Sequence, residues 1–477
     1  MFKRLAASIK LPIVIAVVVV TAMLASMAMT QEPTSPWDFV PAKTEGTDHS
    51  FVMTDPFETP QEVTDTCLMC HPDVADHFMQ TTHWTWISDV AILPGSDEPV
   101  PFGKLNSINN FCVAVPSNWG RCTQCHAGYG WKDASFDFSN PSNIDCLVCH
   151  DLSGTYKKDP KTAGMPVEGT DLLVAAQSVG MPNRANCGAC HFNGGGGNNV
   201  KHGDMDTSLI DPTEDIDVHM GRNDFTCQDC HWTEGHDVSG RLPWLNPDES
   251  RSFTCSQCHG DAPHSVDRLN SHVASVACQA CHIPSYAPLE QTVMHWDWST
   301  AGLEEAPDDR PWKQKKGSFV YGTNVEPEFF WWNGKMGRYL PGEEADASAE
   351  IELSSLEGGI DDPAAKIWPF KVHRGKQPFD SQLNTILVPK LFGKDGFWKT
   401  WDWNSSLELG ATASGLDYSG EYEFVDTLMY WPITHMVKPK ADALHCMDCH
   451  GEKGKMPWAD LGYENDPMTS GGRELAE

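Results

Sequence analysis

The cysteines and histidines of this 477-residue chain follow one pattern, Cys-x-x-Cys-His, which occurs eight times and takes up 16 of the 17 cysteines. Random placement of 17 Cys and 20 His would give about 0.025 occurrences. Two thiols at this spacing can attach to the vinyl groups of one porphyrin as thioethers, and the adjacent histidine becomes the proximal ligand of the iron. The eight motifs are Cys67/Cys70/His71, Cys122/Cys125/His126, Cys146/Cys149/His150, Cys187/Cys190/His191, Cys227/Cys230/His231, Cys255/Cys258/His259, Cys278/Cys281/His282 and Cys446/Cys449/His450.

Two other interpretations of the cysteines explain less. A disulfide framework does not require a histidine directly after every second cysteine. A zinc ribbon uses paired Cys-x-x-Cys units and gives no reason for eight following histidines. The pattern therefore predicts eight covalently attached c-type haems, and hence a redox protein.

Each iron also has a distal position, which a low-spin electron carrier fills with a second strong ligand and a catalytic haem leaves open or weakly held. Twelve histidines lie outside the motifs. His49 lies in a polar N-terminal arm, and we expect His77 and His295 to be surface or packing residues, with His373 as a reserve ligand. The remaining candidates lie in Gly-rich or turn-rich segments beside the motifs, and they are His83, His202, His219, His236, His264, His272 and His435.

The overall charge excludes two classes of partner. Asp and Glu number 66 against 34 Lys and Arg, which gives a formal net charge of −32. A nucleic-acid-binding protein needs a basic surface, and so does a protein that docks on anionic lipid. We therefore expect neither kind of interaction.

The first 28 residues are typical of a secretory signal peptide. Lys3, Arg4 and Lys10 precede an apolar stretch, and Ser26 and Ala28 occupy the small-residue positions of a cleavage site. The alternative is an uncleaved anchor, because the stretch is nearly long enough to span a bilayer. Cleavage is the preferred interpretation and places the mature protein in the periplasm, with membrane contact only through this segment if it is retained.

Motif spacing divides the rest of the chain into an extended arm (29–62), a seven-haem region (63–285), a Trp-rich cap (286–440) and the eighth motif with its tail (441–477). About 56 mature residues per haem are too few for separate domains, so the porphyrins must form much of the core. We expect a mainly α and irregular, loop-rich multihaem cytochrome c. AKIWPFKVH and EFVDTLMYWPITHMV are the likeliest ordered segments, the latter partly helical. Short steps at 122→146 and 255→278 indicate stacked haem pairs.

Several segments resemble the octahaem tetrathionate reductase family along nearly the whole mature chain, among them TTHWTW, RCTQCHAGYGWK, CLVCHDLSGTYKK, CGACHFNGGGGNNVKHGD and FKVHRGKQPFD. The resemblance implies seven haems with two histidine ligands and a catalytic haem on the second motif, with His126 proximal and a lysine distal. That lysine would be Lys157 or Lys158 of TYKK, with a slight preference for Lys157. The family reduces tetrathionate, and its members also act on nitrite and hydroxylamine.

The main functional hypothesis is a terminal reductase of such small anions. The alternatives are a non-catalytic multihaem electron carrier and, third, a hydroxylamine-oxidising octahaem enzyme. No flavin, nicotinamide or molybdenum motif occurs, so a separate redox protein must donate the electrons. The remaining cysteine, Cys112, could attack the central S–S bond of tetrathionate as a thiolate, although an inert buried thiol is the simpler interpretation.

Overall fold

The computed structural model describes residues 48–92, 99–111, 114–240 and 252–473. The expected signal peptide and residues 29–47 of the expected arm lie outside this range. The chain divides into two compact units, of which the larger comprises residues 44–254 and 264–477. The described part of the smaller unit is residues 255–263, which carry the sixth motif. None of the described helices is long and apolar enough to cross a membrane.

The described helices are short, in keeping with the frequent Gly and Pro residues that interrupt them. The longest is Trp403–Ser414, capped at its start by the Asp402 side chain and at its end by Gly415 in the left-handed conformation. The others are Pro60–Cys70, Val74–Phe78, Thr82–Thr85, Trp119–Cys122, Leu147–His150, Leu172–Gln177, Arg184–His191, Ser256–His259, Asp267–His272, Cys278–His282, Phe397–Thr400, Cys446–Cys449 and Pro467–Ser470.

Most of the strands come from the Trp-rich segment. In chain order the described strands are β1 (Ser88–Ile92), β2 (Pro99–Phe102), β3 (Thr233–Glu234), β4 (Asp237–Val238), β5 (Thr292–Asp297), β6 (Trp312–Lys313), β7 (Gly317–Gly322), β8 (Glu328–Trp332), β9 (Met336–Arg338), β10 (Ile351–Glu352), β11 (Ser354–Leu356), β12 (Lys366–Asp380), β13 (Thr385–Ile386) and β14 (Tyr422–Pro432). An eight-stranded mixed sheet has the order β10-β14-β12-β5-β7-β6, with β8 and β13 also paired to β12.

Strand β12 is the centre of this sheet. It pairs antiparallel with β14 along its length, from Phe370 opposite Pro432 to Asp380 opposite Tyr422. Most of its side chains are buried, as expected of a central strand covered on both faces. The sheet has its own aromatic core, which includes Phe370 and Trp431, so porphyrin is not needed to fill this region.

The expectation of a mainly α fold is therefore met only in part, since 26% of the structure is helix and 18% is strand. The segment EFVDTLMYWPITHMV, expected to be partly helical, is strand β14 followed by irregular chain. Its β-branched and aromatic residues favour a strand, and the long edge offered by β12 supplies its backbone partners. Periodicity did not reveal this because both faces are partly buried.

The sheet also joins the seventh and eighth motifs. The backbone of Ile367 in β12 bridges to Val276, just before the seventh motif, and Leu444 N donates to Cys281 O. A small apolar cluster holds Ala280, Trp331 and Leu461 together. The tail after β14 thus returns to the haem-motif region, as the position of the eighth motif requires.

If the aromatic core of the sheet holds this region together, Phe370→Ala should destabilise the protein by about 3–5 kcal/mol, because it removes a fully buried ring. Leu289→Ala is the matched control and should cost no more than about 0.5 kcal/mol, since Leu289 is 63% exposed. Denaturant unfolding of the haem-loaded protein, followed by circular dichroism, measures both. Equal losses for the two variants would contradict the assignment.

Candidate haem sites

All eight motifs in the described residues lie on or at the end of a helical turn. In Leu147–His150, Arg184–His191 and Cys278–His282 the second cysteine and the histidine belong to the same turn. Residues at i, i+3 and i+4 share one face of a helix. The turn therefore presents both thiols and the ligand histidine to the same side, which is the requirement of covalent haem attachment.

The fifth motif departs from the α-helical form of these three. Its turn is the 3₁₀ helix Cys227–Asp229, so Cys230 lies just beyond the helical residues rather than within them. The backbone still closes around the motif, because Cys230 N donates to Cys227 O at 3.2 Å and His231 N donates to the same oxygen at 2.8 Å. The sixth motif closes in the same way, with Cys258 N and His259 N both donating to Cys255 O. Cys230 therefore remains a candidate attachment residue with Cys227, although the regular helix has already ended.

Six motif histidines each face a second histidine that lies outside the motifs. The ring centroids are 6.2–6.4 Å apart, and the pairs are His49–His71, His83–His191, His150–His236, His231–His435, His264–His282 and His272–His450. Two metal–nitrogen bonds of about 2.0–2.1 Å and two ring radii of about 1.1 Å would place centroids about 6.3 Å apart. The spacing fits one iron between each pair of rings.

Hydrogen bonds at the other ring nitrogen support the same orientation. Metal-binding histidines usually donate their second N–H to a protein oxygen, which fixes the tautomer and the ring plane. Six rings of these pairs have Nδ1 bonded in this way, namely His150 to Gly180 O, His231 to Ser239 O, His264 to Asn270 Oδ1, His272 to Arg268 O, His435 to Asp204 Oδ2 and His450 to Asp466 Oδ1. Their Nε2 atoms are thereby left for a metal.

One of these histidines owes its position to a tight turn. Strands β3 and β4 form a hairpin whose two loop residues, Gly235 and His236, both have positive φ, at 55° and 70°. This is the geometry of a type I′ turn, which matches the twist of the flanking strands. A histidine with positive φ is uncommon. Here the turn directs the ring of His236 toward His150.

Among the pairs above are five of the seven candidate distal histidines, namely His83, His236, His264, His272 and His435. The ring of His202 lies on Trp431, and that of His219 contacts Phe225. His49, which the sequence placed only in the arm, has its ring facing His71. Arm residues next to it pack onto the domain, since Met53 is buried against Val63. The reserve candidate His373 is buried in β12 with Nδ1 bonded to Asn110.

The second motif has a different environment. The ring of His126 is fully buried and lies among five aromatic rings, at centroid distances of 4.7–6.0 Å, from Trp84, Trp86, Trp131, Phe136 and Phe138. Among the described residues no histidine ring faces it as in the six pairs. The short helix Thr82–Thr85 thus serves two motifs, because His83 faces His191 while Trp84 covers His126.

The bonding of His126 also departs from that of the paired rings. Its Nε2 donates to Trp84 O at 2.7 Å, and Nδ1 is buried without a hydrogen-bond partner. A buried polar atom left unpaired costs about 1–3 kcal/mol, so this ring fits a site with a metal partner. Desolvation lowers the pKa of His126 to about 3. The ring is therefore neutral at pH 7, as ligation requires.

Lys158 reaches this motif and Lys157 does not. Lys158 Nζ donates to the backbone carbonyls of His126 at 2.6 Å and of Gly128 at 2.9 Å. It also pairs with Asp145 Oδ2 at 2.8 Å, and the two side chains are 7% and 0% exposed. Lys157 is exposed. The structure therefore favours Lys158 over the slightly preferred Lys157, because adjacent residues of an extended segment point to opposite sides and only Lys158 faces the motif.

Two further residues shape this lysine site, and the sequence analysis did not identify them. Gly164 has φ +80°, and a Cβ atom there would lie 2.7 Å from Lys158 Cε, so only glycine leaves room for the lysine stem. Tyr156 donates its hydroxyl to Asp145 Oδ2 at 3.0 Å. Burial and the nearby Asp145 raise the pKa of Tyr156 well above its usual range, which keeps the phenol a donor.

Three lysines converge near the second and fourth motifs. Lys104, Lys158 and Lys201 lie close enough to Cys125 for each to lower the pKa of its thiol, although a hydrogen bond to Cys190 is the larger cause. Lys104 also stands over the Trp86 ring, with Nζ 3.8 Å from its centroid. A local positive field thus exists within a chain of formal charge −32.

Hydrogen-bonded thiols show which motifs are neighbours. Cys67 meets Cys146, Cys125 meets Cys190, and Cys187 meets Cys227. Cys149 also lies within electrostatic reach of Cys187. The fourth motif is therefore a junction between the second, third and fifth.

The short step at 122→146 indicated a stacked pair of the second and third haems. The two motif segments are adjacent, because Gly128 bridges to Ile144 and Asp145 N donates to Ala127 O at 3.0 Å. The stacking of their haems stays a prediction. At the other end of the chain, Cys281 of the seventh motif lies near Cys446 of the eighth. Cys112 lies outside the described residues, so its expected reaction with an S–S bond stays a prediction.

Comparison with known proteins agrees with this description. A family model for bacterial cytochrome c matches residues 293–453, and a model for cytochrome c7 and related cytochrome c matches residues 213–283. The crystal structure of octahaem cytochrome c from Shewanella oneidensis is similar with a TM-score of 0.85 at 47% identity, over 90% of this chain and 100% of that one. An uncharacterised protein of Archaeoglobus fulgidus is 27% identical over 239 residues, which is 40% of this chain and 80% of that protein.

If His49 is the sixth ligand opposite His71, His49→Ala should convert one haem from low spin to high spin or to water ligation, because a strong axial ligand is lost. His77→Ala is the matched control, an exposed histidine of the same region whose removal should leave the spectrum unchanged. Electron paramagnetic resonance of the oxidised, haem-loaded variants measures the spin states. A low-spin spectrum in His49→Ala would remove His49 from the ligand set.

Proposed function

Because the chain belongs to the octahaem cytochromes c, we propose that it is a periplasmic reductase of small sulfur or nitrogen oxyanions at the haem of its second motif. Covalently bound c-type haems and a role in electron transfer follow from the family. Reduction of a substrate is the further step. The observation that carries it is the environment of His126, which has an aromatic enclosure and a buried lysine bonded to its backbone carbonyl, whereas six other motif histidines face a second imidazole.

The paired histidines would hold six of the haems with two imidazoles each. Such irons have no free position and suit one-electron transfer. The haem, when bound, supplies a one-electron couple at each of these sites. The protein supplies the ligand geometry and the short distances between motifs, with the fourth motif as the junction that leads to the second.

At the second motif we assign the distal position to Lys158. An amine binds a metal only as the neutral base, so the ammonium must first lose a proton. Asp145 Oδ2 lies 2.8 Å from Nζ and can accept that proton. The hydroxyl of Tyr156 donates to the same oxygen and so favours the carboxylate form, which is the form that pairs with the ammonium of Lys158 once the lysine is displaced. Lys158 would thus be a replaceable ligand, held by Asp145 and two carbonyls when displaced.

The charge distribution favours an anionic substrate at this position. Lys104, Lys158 and Lys201 each lie within electrostatic reach of Cys125 in the second motif, whereas the chain as a whole is strongly acidic. Asp145 balances the charge of Lys158, so Lys104 and Lys201 would supply the attraction for an anion. A cationic site in a negative protein attracts anions locally and directs them to one place. Tetrathionate fits this description, and so does nitrite.

For tetrathionate the reaction is electron-balanced without a further reagent. Two electrons break the central S–S bond and yield two thiosulfate ions, as in other disulfide reductions. The electrons come from a separate redox protein, because the sequence has no motif for a flavin or nicotinamide cofactor. We propose that the N-terminal 28 residues direct export to the periplasm and contact the membrane only if they are retained.

The second candidate is a non-catalytic electron carrier. The six histidine pairs favour it, because paired imidazoles serve transfer rather than substrate binding. The two hypotheses differ at the second motif alone. A carrier requires that iron to keep two strong ligands under all conditions, whereas a reductase requires one ligand that substrate can replace.

Substitution of the two adjacent lysines tests this difference. Lys158→Ala should render one haem high spin or water-ligated and change tetrathionate or nitrite turnover at least tenfold, because the replaceable ligand is lost. Lys157→Ala is the matched control, an exposed lysine whose removal should alter stability by no more than about 0.5 kcal/mol. Optical and paramagnetic resonance spectra and reduction of each anion by the dithionite-reduced protein are the measurements.

Parental spectra and parental turnover in Lys158→Ala would overturn the lysine assignment. Absence of tetrathionate, nitrite and hydroxylamine turnover in the parent protein, with eight low-spin haems in its spectrum, would favour the electron carrier.

A further inference from the structure

The protein oxygens that accept from the paired histidines are of two kinds. His150 donates from Nδ1 to a backbone carbonyl, that of Gly180, and His264 to the neutral amide oxygen of Asn270. His435 and His450 donate to carboxylates. The fifth and eighth motifs therefore each include a ring bonded to a charged acceptor.

Asp204 is built into the chain that carries His435. Its Oδ2 accepts from Thr434 N at 2.7 Å, from His435 N at 2.9 Å and from His435 Nδ1 at 3.3 Å. The carboxylate is 1% exposed. Three donors on one oxygen fix both the backbone and the ring of His435, so this contact is not an incidental surface pair.

Lys371 of β12 fixes the loop that carries this carboxylate. Lys371 is fully buried, and its Nζ donates to the carbonyls of Val200 and Lys201 at 3.0 Å each. These carbonyls belong to the loop that leads into Asp204. The position of Asp204 against His435 is therefore set by the sheet as well as by its own three hydrogen bonds.

Asp466 performs the same function at the eighth motif. Its Oδ1 accepts from His450 Nδ1 at 2.6 Å and from Met468 N at 2.8 Å, and its Oδ2 accepts from Gly451 N at 2.6 Å. The Trp458 ring stacks on His450 with centroids 5.1 Å apart. Backbone N–H groups of Gly451 and Met468 thus hold the Asp466 carboxylate against the ring of His450.

We propose that Asp204 and Asp466 are positioning residues that lower the reduction potentials of the fifth and eighth haems. An imidazole that donates to a carboxylate is a stronger base, and hence a stronger ligand, than one that donates to a neutral oxygen. Ferric iron has one more positive charge than ferrous iron, so the stronger ligand and the nearby negative charge both favour the oxidised state. Haems whose histidines donate to neutral oxygens lack this effect.

The placement of the fifth motif gives a direction to the electron transfer that a lowered potential there would favour. The fifth motif adjoins the fourth, which adjoins the second, through the thiol contacts of Cys187 with Cys227 and of Cys125 with Cys190. An electron on the fifth haem would therefore pass to the fourth, which oxidises the iron of the fifth haem and reduces that of the fourth. From the fourth haem it would pass on to the haem of the second motif. This direction rests on the proposed function, whereas the potentials themselves do not.

Asp204→Asn and Asp466→Asn test the potentials directly in the haem-loaded protein. Each should move one of the eight components of a potentiometric titration to higher potential. We expect at least a tenfold change in its ratio of oxidised to reduced form at fixed potential, which is 59 mV for a one-electron couple. The low-spin resonance should persist, because the histidine remains bound. Asp380→Asn is the control, since Asp380 is as buried as Asp204 and accepts backbone N–H groups, but makes no hydrogen bond to a paired histidine among the described residues.

Unchanged titrations in both variants, or the same shift in Asp380→Asn, would overturn the proposal. So would a failure of both variants to incorporate eight haems, because the carboxylates would then be structural. If only one variant incorporates eight haems, the titration of that variant decides. A protein with the expected shifts but without turnover of any anion would leave this inference standing and reject the proposed reductase.

Discussion

The separation of two imidazole rings by the width of one coordinated metal is the constraint on which this structure depends. Six histidine pairs hold their centroids 6.2–6.4 Å apart. Packing alone does not select so narrow a range, since packed aromatic rings take centroid distances of about 4.5–7 Å. The chain reaches this spacing between partners that are close in sequence and between partners that are far apart. His49 lies near His71 in sequence, whereas His435 is brought to His231 from beyond the sheet. Because each motif needs only one helical turn, short helices joined by irregular loops are enough to carry the motifs.

The sheet fixes the positions of several loops in this loop-rich chain. Strand β12 pairs with β14 over eleven residue pairs, and the chain leaves β14 directly toward Thr434 and His435. Lys371 of β12 holds the loop before Asp204, which in turn binds His435. The position of His435, the proposed distal ligand of the fifth motif, is thus fixed by the sheet rather than by its own loop. The aromatic core of the sheet and the loops that carry the haem motifs therefore stabilise each other.

Local differences among similar motifs are the source of function. All motifs have the same covalent pattern, so differences in chemistry must come from the groups around each histidine. At the second motif those groups are aromatic rings and the Lys158–Asp145 pair. At the fifth and eighth they are carboxylates on the ring nitrogen. The aromatic enclosure, the nearby charges and the hydrogen bonds of each histidine thereby distinguish sites that share the same Cys-x-x-Cys-His motif.

The sequence by itself determined the cofactor and predicted its attachment residues and proximal ligands, because covalent haem chemistry requires a fixed local spacing that is visible in the chain. It also singled out five histidines beside motifs that face a motif histidine in the structure. Only the tertiary structure decided which rings face each other, that His49 faces His71, and that Lys158 rather than Lys157 reaches the second motif. Each of these depends on which side of the backbone a residue faces and on contacts between distant segments. The sheet was missed for the same reason, since β14 becomes a strand only where β12 offers its edge.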